Sequence, residues 1–211
     1  GLGSSGAAII AGAMLVGALC DTEIPTETIL RYATELEGHA DNVAAALYGG
    51  WVVHCIKEDG EVLAVKRRWP TDIKVIVVTP HFLLETKKAR AVLPHSVDRA
   101  DAVHNMQRIA LFSAALEARA DDLLWEAMQD RLHQRYRAPL VPGLAEALAT
   151  PRRDGLLGLA LSGAGPSVLA LARYGFEEIS KSIGDCFHHH GLETTVRLLA
   201  IDDEGQRVTL R

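Results

Sequence analysis

The chain has little of what several large classes of protein require. Only three cysteines, Cys20, Cys55 and Cys186, occur among its 211 residues. Their spacing matches no metal-binding pattern and leaves at least one of them unpaired, so thiol catalysis has no support and a reducing cytoplasm is indicated. Positive charge is not in excess either, since 22 Lys and Arg stand against 27 Asp and Glu. This balance disfavours wholesale electrostatic binding to nucleic acid or to an anionic membrane.

A hydrophobic run long enough to cross a bilayer is also missing. The longest apolar stretch, residues 7–20, has 14 residues, whereas a spanning helix needs roughly 20. No positively charged segment precedes it, which argues against a signal peptide. We therefore expect a helix that is apolar all round and packed inside the fold.

The remaining composition is that of an ordinary compact soluble protein of one or two domains. The chain is 48% apolar and 23% charged, with a net charge of −5, and this excludes disorder as its main state. Small molecules are more probable ligands than macromolecules.

Hydrophobic periodicity divides the chain near Pro70. Before this point the pattern predicts a helix over residues 6–20, a second that starts within 24–27 and stops at Gly38, and a third over 41–47, then a hairpin of strands over 51–56 and 62–66. After it, strands are predicted over 73–78, 156–161, 167–171 and 194–200. Helices are predicted over about 84–91, 98–118, 121–134 and 176–189. The long helix presents a predicted inward face of Val103, Met106, Ile109, Ala110 and Leu116. The order of elements suggests an α+β sandwich of the ferredoxin-like kind, and we divide the chain into domains over residues 1–70 and 71–211.

The glycine-rich opening has the properties of a phosphate-binding loop. Residues 1–8 read GLGSSGAA: glycines for unusual backbone angles and close approach, two hydroxyls, and a helix that follows at once. The Gly-Lys-Ser/Thr ending of a P-loop is absent, which excludes that class of nucleotidase. The alternative is an artificial Gly-Ser-Ser-Gly spacer. The segment runs without a break into a helix that does not have the composition of a linker, which disfavours this alternative.

Several segments together carry a resemblance to a known family. GLGSSGAA at residues 1–8 and LSGAGPS at 161–167 resemble the second and third signatures of the GHMP small-molecule kinases. Residues 37–44, 86–94 and 136–143 resemble the homoserine kinase branch. The resemblance covers essentially the whole chain. The family's first motif is absent, so we expect it to precede Gly1 and the chain to begin within an N-terminal domain.

The resemblance implies a fold and an activity. The fold is the GHMP kinase fold, in which an N-terminal domain like domain 2 of ribosomal protein S5 is followed by a ferredoxin-like α/β sandwich. The implied reaction uses ATP and Mg²⁺ to phosphorylate the hydroxyl of L-homoserine, a step of threonine biosynthesis in the cytoplasm. Neither nucleic acid nor a membrane is an implied partner, and a homodimer is allowed. The alternatives are a mevalonate or sugar kinase of the same family and a non-catalytic relative that senses a ligand.

The resemblance also assigns residues to roles. The ATP phosphates are assigned to Gly1, Leu2, Gly3, Ser4, Ser5 and Gly6. Mg²⁺ is assigned to Ser5 and Glu37, which with Asn42 form the implied catalytic set. Homoserine is assigned to His39, Asn42, Arg90, Arg137 and Gly163. Arginine suits its carboxylate because the planar guanidinium donates two parallel hydrogen bonds.

Two of these residues, and the neighbouring Asp41, have simpler interpretations. Glu37 fits a solvated side chain at the end of a helix. Arg137, with Arg131 and Arg135, fits a solvated basic helix end. Asp41 is expected to cap the helix over residues 41–47 rather than to act as a base.

Overall fold

The computed structural model describes residues 2–209 and groups them into two compact units. The first unit comprises residues 2–69 and 201–209, and the second comprises residues 70–200. The predicted division had placed the end of the chain in the second domain. In the structure, the backbone N–H of Gly50 donates to the carbonyl of Asp202 at 2.7 Å, and that of Gln206 donates to the carbonyl of Leu47 at 3.3 Å. These bonds attach residues 201–209 to the first unit.

The first unit consists of three helices and a hairpin. The helices are α1 (Ser4–Leu19), α2 (Thr26–Glu37) and α3 (Asp41–Tyr48), and the strands are β1 (Trp51–Ile56) and β2 (Val62–Arg67). The strands pair antiparallel, with Trp51 opposite Arg67. The core of the unit consists of Ile10, Ile29, Leu30, Ala33, Val43, Ala44 and Leu47.

Helix α1 is not enclosed on all sides, and the expectation of a fully buried helix is wrong. Gly6 and Ile10 are its buried residues, whereas Leu15 and Leu19 are 61% and 84% exposed. Within the first unit α1 packs against α2 and α3, so only the side that faces them loses contact with water. Among residues 2–209, no helix combines the length and the apolar character that crossing a membrane would require.

The second unit is built on an antiparallel sheet. Its strands are β3 (Lys74–Pro80), β4 (Leu156–Leu161), β5 (Val168–Ala172) and β6 (Thr194–Leu199), in the spatial order β4-β5-β3-β6. Its helices are α4 (Thr86–Ala91), α5 (Arg99–Ala118), α6 (Leu124–Ala127), α7 (Gln134–Arg137), α8 (Leu144–Leu148) and α9 (Phe176–His188). Residues of the sheet, α8 and α9 form the core, including Ile76, Val168, Leu144, Ile179 and Phe187. The predicted α+β sandwich is confirmed.

Two predictions about the helices of this unit are wrong. The helix predicted over residues 121–134 is a 3₁₀ turn (Asp121–Leu123), α6 and then a loop before α7. Side-chain hydrogen bonds compete with the helical ladder in that loop, because Asp130 accepts the backbone N–H groups of residues 132–134.

The inward face of α5 also differs from the prediction. Of the predicted inward residues, Leu116 is buried, but Met106 and Ile109 are 63% and 68% exposed. Asp101 and Ala115, which lie outside the predicted face, are buried as well. Helix α5 packs against α6 and the 3₁₀ turn that precedes α6. The position of these neighbours, rather than the apolar stripe, decides which residues are covered.

Candidate functional site

The glycine-rich segment forms the N-terminal end of α1. Gly1, the first residue of the predicted phosphate loop, lies outside the described residues. Gly3 has a left-handed backbone (φ 70°), and α1 begins at the next residue, so the first-turn amides of Ser4, Ser5 and Gly6 have no helical partner. The side chains of Ser4 and Ser5 are exposed. Free amides at the positive end of a helix dipole, beside two hydroxyls, are the groups that bind phosphate.

Two glycines bring this segment against Asn42. A methyl group added at Gly3 would lie 2.9 Å from Asn42 Oδ1, and one added at Gly6 would lie 3.0 Å from Asn42 Cβ. The first distance is shorter than real Cβ contacts and the second is tighter than most of them, so neighbouring atoms would have to shift. The absence of side chains at these two positions therefore lets the start of α1 contact the start of α3, where Asn42 is half-buried.

Ser5 and Glu37 meet in the first unit. The Ser5 hydroxyl donates a 2.6 Å hydrogen bond to Glu37 Oε1. Glu37 is the last residue of α2, which Gly38 ends with a left-handed backbone (φ 81°). The side chain of Glu37 is only 10% exposed, and His39 Nε2 lies 3.9 Å from the same oxygen. Glu37 is thus not a solvated residue at a helix end.

The Ser5 and Glu37 oxygens fit the chemistry of a magnesium ion. Mg²⁺ in nucleotide enzymes takes one or two protein carboxylates and fills its other positions with phosphate oxygens and water. Among residues 2–209, no group of three or more His, Cys, Asp or Glu side chains could hold a metal. One carboxylate beside one hydroxyl suits a cation that arrives with phosphate, and it does not suit a cage built from protein ligands.

Asp41 is engaged in local hydrogen bonds. It is the first residue of α3, following the capping position of Ala40. Its carboxylate accepts the backbone N–H of Asn42 at 2.9 Å and pairs with Nδ1 of His39. Asp41 was predicted to cap this helix, but the capping position is Ala40, and the Asp41 carboxylate acts on the first turn of α3 from one position inside the helix.

Arg137 is buried in the second unit, at 9% exposure. Its Nε donates to the carbonyl of Ala89 at 3.0 Å, and its Nη1 donates to the carbonyl of Gly163 at 3.1 Å. Burial lowers the pKa of its guanidinium, and the nearby positive charge of Arg90 lowers that pKa further. Arg137 is therefore not a solvated helix end.

Arg131 and Arg135, the other arginines of this segment, have a separate partner. Both pair with Asp101 of α5. Arg90, which follows Ala89 in α4, is exposed. The second unit thus brings together Arg90, Arg137 and Gly163, three of the predicted substrate residues.

Gly163 belongs to a closed loop between β4 and β5. The N–H of Ser162 donates to the carbonyl of Ser167 at 2.8 Å, and the N–H of Gly165 donates to the carbonyl of Ser162 at 3.0 Å. The buried Ser167 hydroxyl lies 2.9 Å from that of Thr79 at the end of β3. These bonds fix the loop on the sheet.

Sequence reasoning did not find Asp130 and Gln134, which support this group. Gln134 Oε1 accepts the N–H of Leu161 at 2.6 Å, next to the 162–167 loop. Asp130 accepts the N–H of Gln134 at 2.6 Å. The available signal was the residue type, since an Asp side chain commonly accepts nearby backbone N–H groups and competes with a helix.

Comparisons with known proteins agree along the chain. Residues 1–50 match the GHMP kinases N terminal domain, and residues 102–185 match the GHMP kinases C terminal domain. The homoserine kinase of Desulfitobacterium hafniense is 42% identical over 209 residues, which cover 99% of this chain and 70% of that protein. The homoserine kinase of Deinococcus radiodurans is 44% identical over 207 residues, covering 97% of this chain and 67% of that protein.

A solved structure is similar as well. The crystal structure of homoserine kinase from Cytophaga hutchinsonii superimposes with a TM-score of 0.83 at 27% sequence identity. The match covers 93% of this chain and 64% of that one. The chain therefore aligns along nearly its whole length and spans a little under two thirds of that relative.

Proposed function

Because the chain belongs to the homoserine kinases of the GHMP kinase family, we propose that the protein phosphorylates the hydroxyl of L-homoserine. The products are ADP and O-phospho-L-homoserine, in the service of threonine biosynthesis. GHMP kinases use ATP as the phosphate donor. The observation that carries the assignment of the site is the 2.6 Å hydrogen bond between Ser5 and Glu37. It joins a hydroxyl of the glycine-rich segment to a largely buried carboxylate from another helix.

The glycine-rich segment is assigned to the phosphates of ATP. Gly3, Ser4, Ser5 and Gly6 supply amide hydrogens and hydroxyls at the positive end of α1. Gly1 and Leu2 belong to the same assignment by resemblance. The net charge of the chain is −5, so binding an anion depends on these local donors rather than on a positive surface.

Mg²⁺ is assigned to Ser5 and Glu37. When bound, the ion supplies positive charge that neutralises the phosphate oxygens during transfer. The Ser5 hydroxyl, which donates to Glu37 Oε1 at 2.6 Å, orients that carboxylate. The residues of this chain hold the carboxylate in one orientation before the nucleotide arrives.

The arginines are assigned to the carboxylate of homoserine. Arg90 is exposed and close enough to Arg137 to lower the pKa of its guanidinium. Two cations held close together repel each other, and a bound carboxylate relieves that repulsion. His39 and Asn42 complete the proposed substrate residues, with Asn42 beside the attacking hydroxyl and Gly163 in the loop that Arg137 holds.

The transfer itself needs alignment more than acid–base chemistry. The bond between the γ-phosphorus and the β,γ-bridging oxygen breaks as a bond to the homoserine oxygen forms. The hydroxyl proton passes to a phosphate oxygen. Asp41, the carboxylate nearest to Asn42 in sequence, is already bonded to the Asn42 N–H and to His39. This supports a reaction without a dedicated protein base.

The test is substrate-dependent release of ADP by the full-length protein. We expect L-homoserine to stimulate ADP release, and mevalonate and galactose to leave it at the background rate. Stimulation by mevalonate or galactose instead would favour another GHMP kinase. Binding of L-homoserine without turnover would favour a ligand-sensing relative.

Location and assembly complete the proposal. The cytoplasm is the expected compartment because the three cysteines are free in the structure and suit a reducing environment. The homodimer stays a prediction. Light scattering of the full-length protein would decide between one copy and two.

A further inference from the structure

The carboxylate of Asp130 is saturated with hydrogen bonds. Its Oδ1 accepts from Asn105 Nδ2 at 2.8 Å and from the N–H of Leu132 at 3.1 Å, and its Oδ2 accepts from the N–H groups of His133 at 2.8 Å and Gln134 at 2.6 Å. Burial alone would raise the pKa of this carboxyl group, but the bonds from Gln134, Asn105, His133 and Leu132 bring that pKa below its ordinary value. The group therefore stays ionised and keeps all four donors.

Asn105 connects this carboxylate to α5. Its Nδ2 donates to Asp130, and its Oδ1 accepts the N–H of Arg131 at 2.9 Å. Both ends of one amide thus hold the loop that precedes α7. The loop is attached to a helix of 20 residues, which is a rigid support.

Helix α7 has four residues, Gln134–Arg137, and a helix this short does not hold its own shape. Its ends are fixed by side chains. At its start, Asp130 accepts from the Gln134 N–H, and Gln134 Oε1 in turn accepts the N–H of Leu161. At its end, Arg137 donates to Ala89 and Gly163.

We propose that Asp130 is a positioning residue for Arg137. By holding the start of α7, it sets where the Arg137 guanidinium lies beside Arg90 and Gly163. The proposal rests on the proposed function, in which Arg137 binds the carboxylate of the substrate. The negative charge of Asp130 also opposes the lowering of the Arg137 pKa by burial and by Arg90, so Asp130 acts on the charge of this arginine as well as on its place.

The first test observes Arg137 directly and needs no substrate. In full-length protein with ¹⁵N-labelled arginine, the Nε–H of Arg137 is expected to exchange slowly with solvent, because it is buried and bonded to Ala89; Arg137→Lys assigns the signal. In Asp130→Asn, an NH₂ group replaces one of the two carboxylate oxygens and cannot accept from the N–H groups that face it. We therefore expect the Arg137 Nε–H to exchange at least about tenfold faster. The Nε–H of Arg173, bonded to Asp121, is the internal control and should not change. An unchanged rate for Arg137 in Asp130→Asn would overturn the proposal.

A milder variant covers the case in which Asp130→Asn fails to fold. Asn105→Ala removes one of the four donors and leaves the carboxylate with its three backbone partners. We expect the Arg137 Nε–H to exchange about two- to fivefold faster in this variant. Equal acceleration at Arg137 and Arg173 would indicate general loosening and would contradict a specific effect on Arg137.

The second test is kinetic. Asp130→Asn should raise the KM for L-homoserine at least about tenfold and leave the KM for ATP within about twofold. Asp122→Asn removes the charge of an exposed carboxylate in the same unit and should change neither constant. In an Arg137→Lys background, Asp130→Asn should raise the KM for L-homoserine no further. An added rise there would show that Asp130 acts through another residue.

The two tests distinguish an error in the proposed function from an error in the role of Asp130. If the wild-type protein does not use L-homoserine, the proposed function is wrong, while the exchange experiment still decides whether Asp130 positions Arg137. If the wild-type protein uses L-homoserine and the exchange of Arg137 is unaffected in the variants, the proposed function stands and the role of Asp130 is wrong.

Discussion

The hydroxyl of Ser5 donates a 2.6 Å hydrogen bond to the carboxylate of Glu37, although 32 positions separate the two residues. Ser5 lies in the first turn of α1, and Glu37 is the last residue of α2. The bond forms because α1 packs against α2 and because Gly38 ends α2 at this point. It places a hydroxyl and a carboxylate oxygen where one hard cation could take both.

Glu37→Gln should change the dependence on Mg²⁺. The amide keeps the size of the side chain and can still accept from Ser5, but it lacks the negative charge that a hard cation requires. We expect the Mg²⁺ concentration for half-maximal ADP release to rise at least about tenfold. Titration of Mg²⁺ at saturating ATP and L-homoserine measures it. Glu35→Gln, an exposed residue of the same helix, is the matched control; equal titrations for Glu37→Gln and wild type would assign the metal to another carboxylate.

Gly3→Ala should weaken ATP binding. The added methyl would lie 2.9 Å from Asn42 Oδ1, on a backbone with φ 70°, so the Asn42 side chain or the start of α1 would have to shift. We expect the KM for ATP to rise about tenfold, since a left-handed backbone with a side chain costs about 1 kcal/mol before the contact is counted. Initial rates over a range of ATP concentrations measure the change.

Gly12→Ala is the control for this substitution. Among residues 2–209, no atom outside the neighbouring turns of the same helix lies within 4 Å of a methyl added at Gly12, which is in the interior of α1. Here we expect unchanged kinetics and a gain of about 0.5–1 kcal/mol in the free energy of unfolding. If both alanines affected the KM for ATP alike, the contact between Gly3 and Asn42 would not explain the effect.

Arg90→Ala should impair use of L-homoserine without loss of stability. The side chain is exposed, so the free energy of unfolding should change by less than about 0.5 kcal/mol. Loss of a charge-assisted bond to the substrate carboxylate should lower kcat/KM for L-homoserine, by a factor that corresponds to about 2–4 kcal/mol of transition-state stabilisation. Lys87→Ala removes an exposed positive charge from the same helix and should leave kcat/KM unchanged. A normal KM for L-homoserine in Arg90→Ala would exclude this arginine from the substrate site.

Arg137→Ala should have two effects, which separates it from Arg90→Ala. The first is the same fall in kcat/KM for L-homoserine, which corresponds to about 2–4 kcal/mol of transition-state stabilisation. In addition, the carbonyls of Ala89 and Gly163 lose their donor, which should lower the free energy of unfolding by about 1–3 kcal/mol. Urea unfolding alongside the kinetics measures both. Lower stability with unchanged kcat/KM would make Arg137 a structural residue only.

Asp72 should contribute to resistance against acid. Hydrogen bonds from Arg119 and Arg173 outweigh partial burial and lower the pKa of its carboxyl group to about 2. A carboxyl group whose pKa is lower in the folded state stabilises that state above the unfolded pKa, and the contribution is lost as pH falls from about 4 to about 2. Because the side chain is 42% exposed, the contribution should not exceed about 1 kcal/mol.

The measurement compares Asp72→Asn with wild type. The variant should be less stable to urea at pH 5 and equal to wild type near pH 2, so that the two curves converge. Asp122→Asn should follow the wild-type curve throughout. A difference for Asp72→Asn that stayed constant from pH 5 to pH 2 would contradict a role for the ionised carboxylate.

The sequence by itself determined the local elements and the inventory of site residues. Short apolar runs placed the sheet strands, turn residues between two such runs placed the hairpin, and the glycine-rich opening marked the start of α1, because these signals depend only on neighbours along the chain. The segments that resemble the GHMP kinases named Ser5, Glu37, Arg90 and Arg137 as candidates. Their chemistry could be stated without coordinates, since it belongs to the residue types.

Only the tertiary structure decided which candidates meet and what each is bonded to. A hydrophobic pattern says that a face is apolar and not whether another element covers it, so α1 and α5 were predicted more buried than they are. The break before α7 depends on one side chain, Asp130, whose hydrogen bonds compete with the helix. Arg137 was as plausible on a solvated helix end as in a site until the carbonyls of Ala89 and Gly163, 48 and 26 positions away, accepted its hydrogen bonds. Contacts across such separations depend on how the elements pack, so they cannot be predicted from periodicity along the chain.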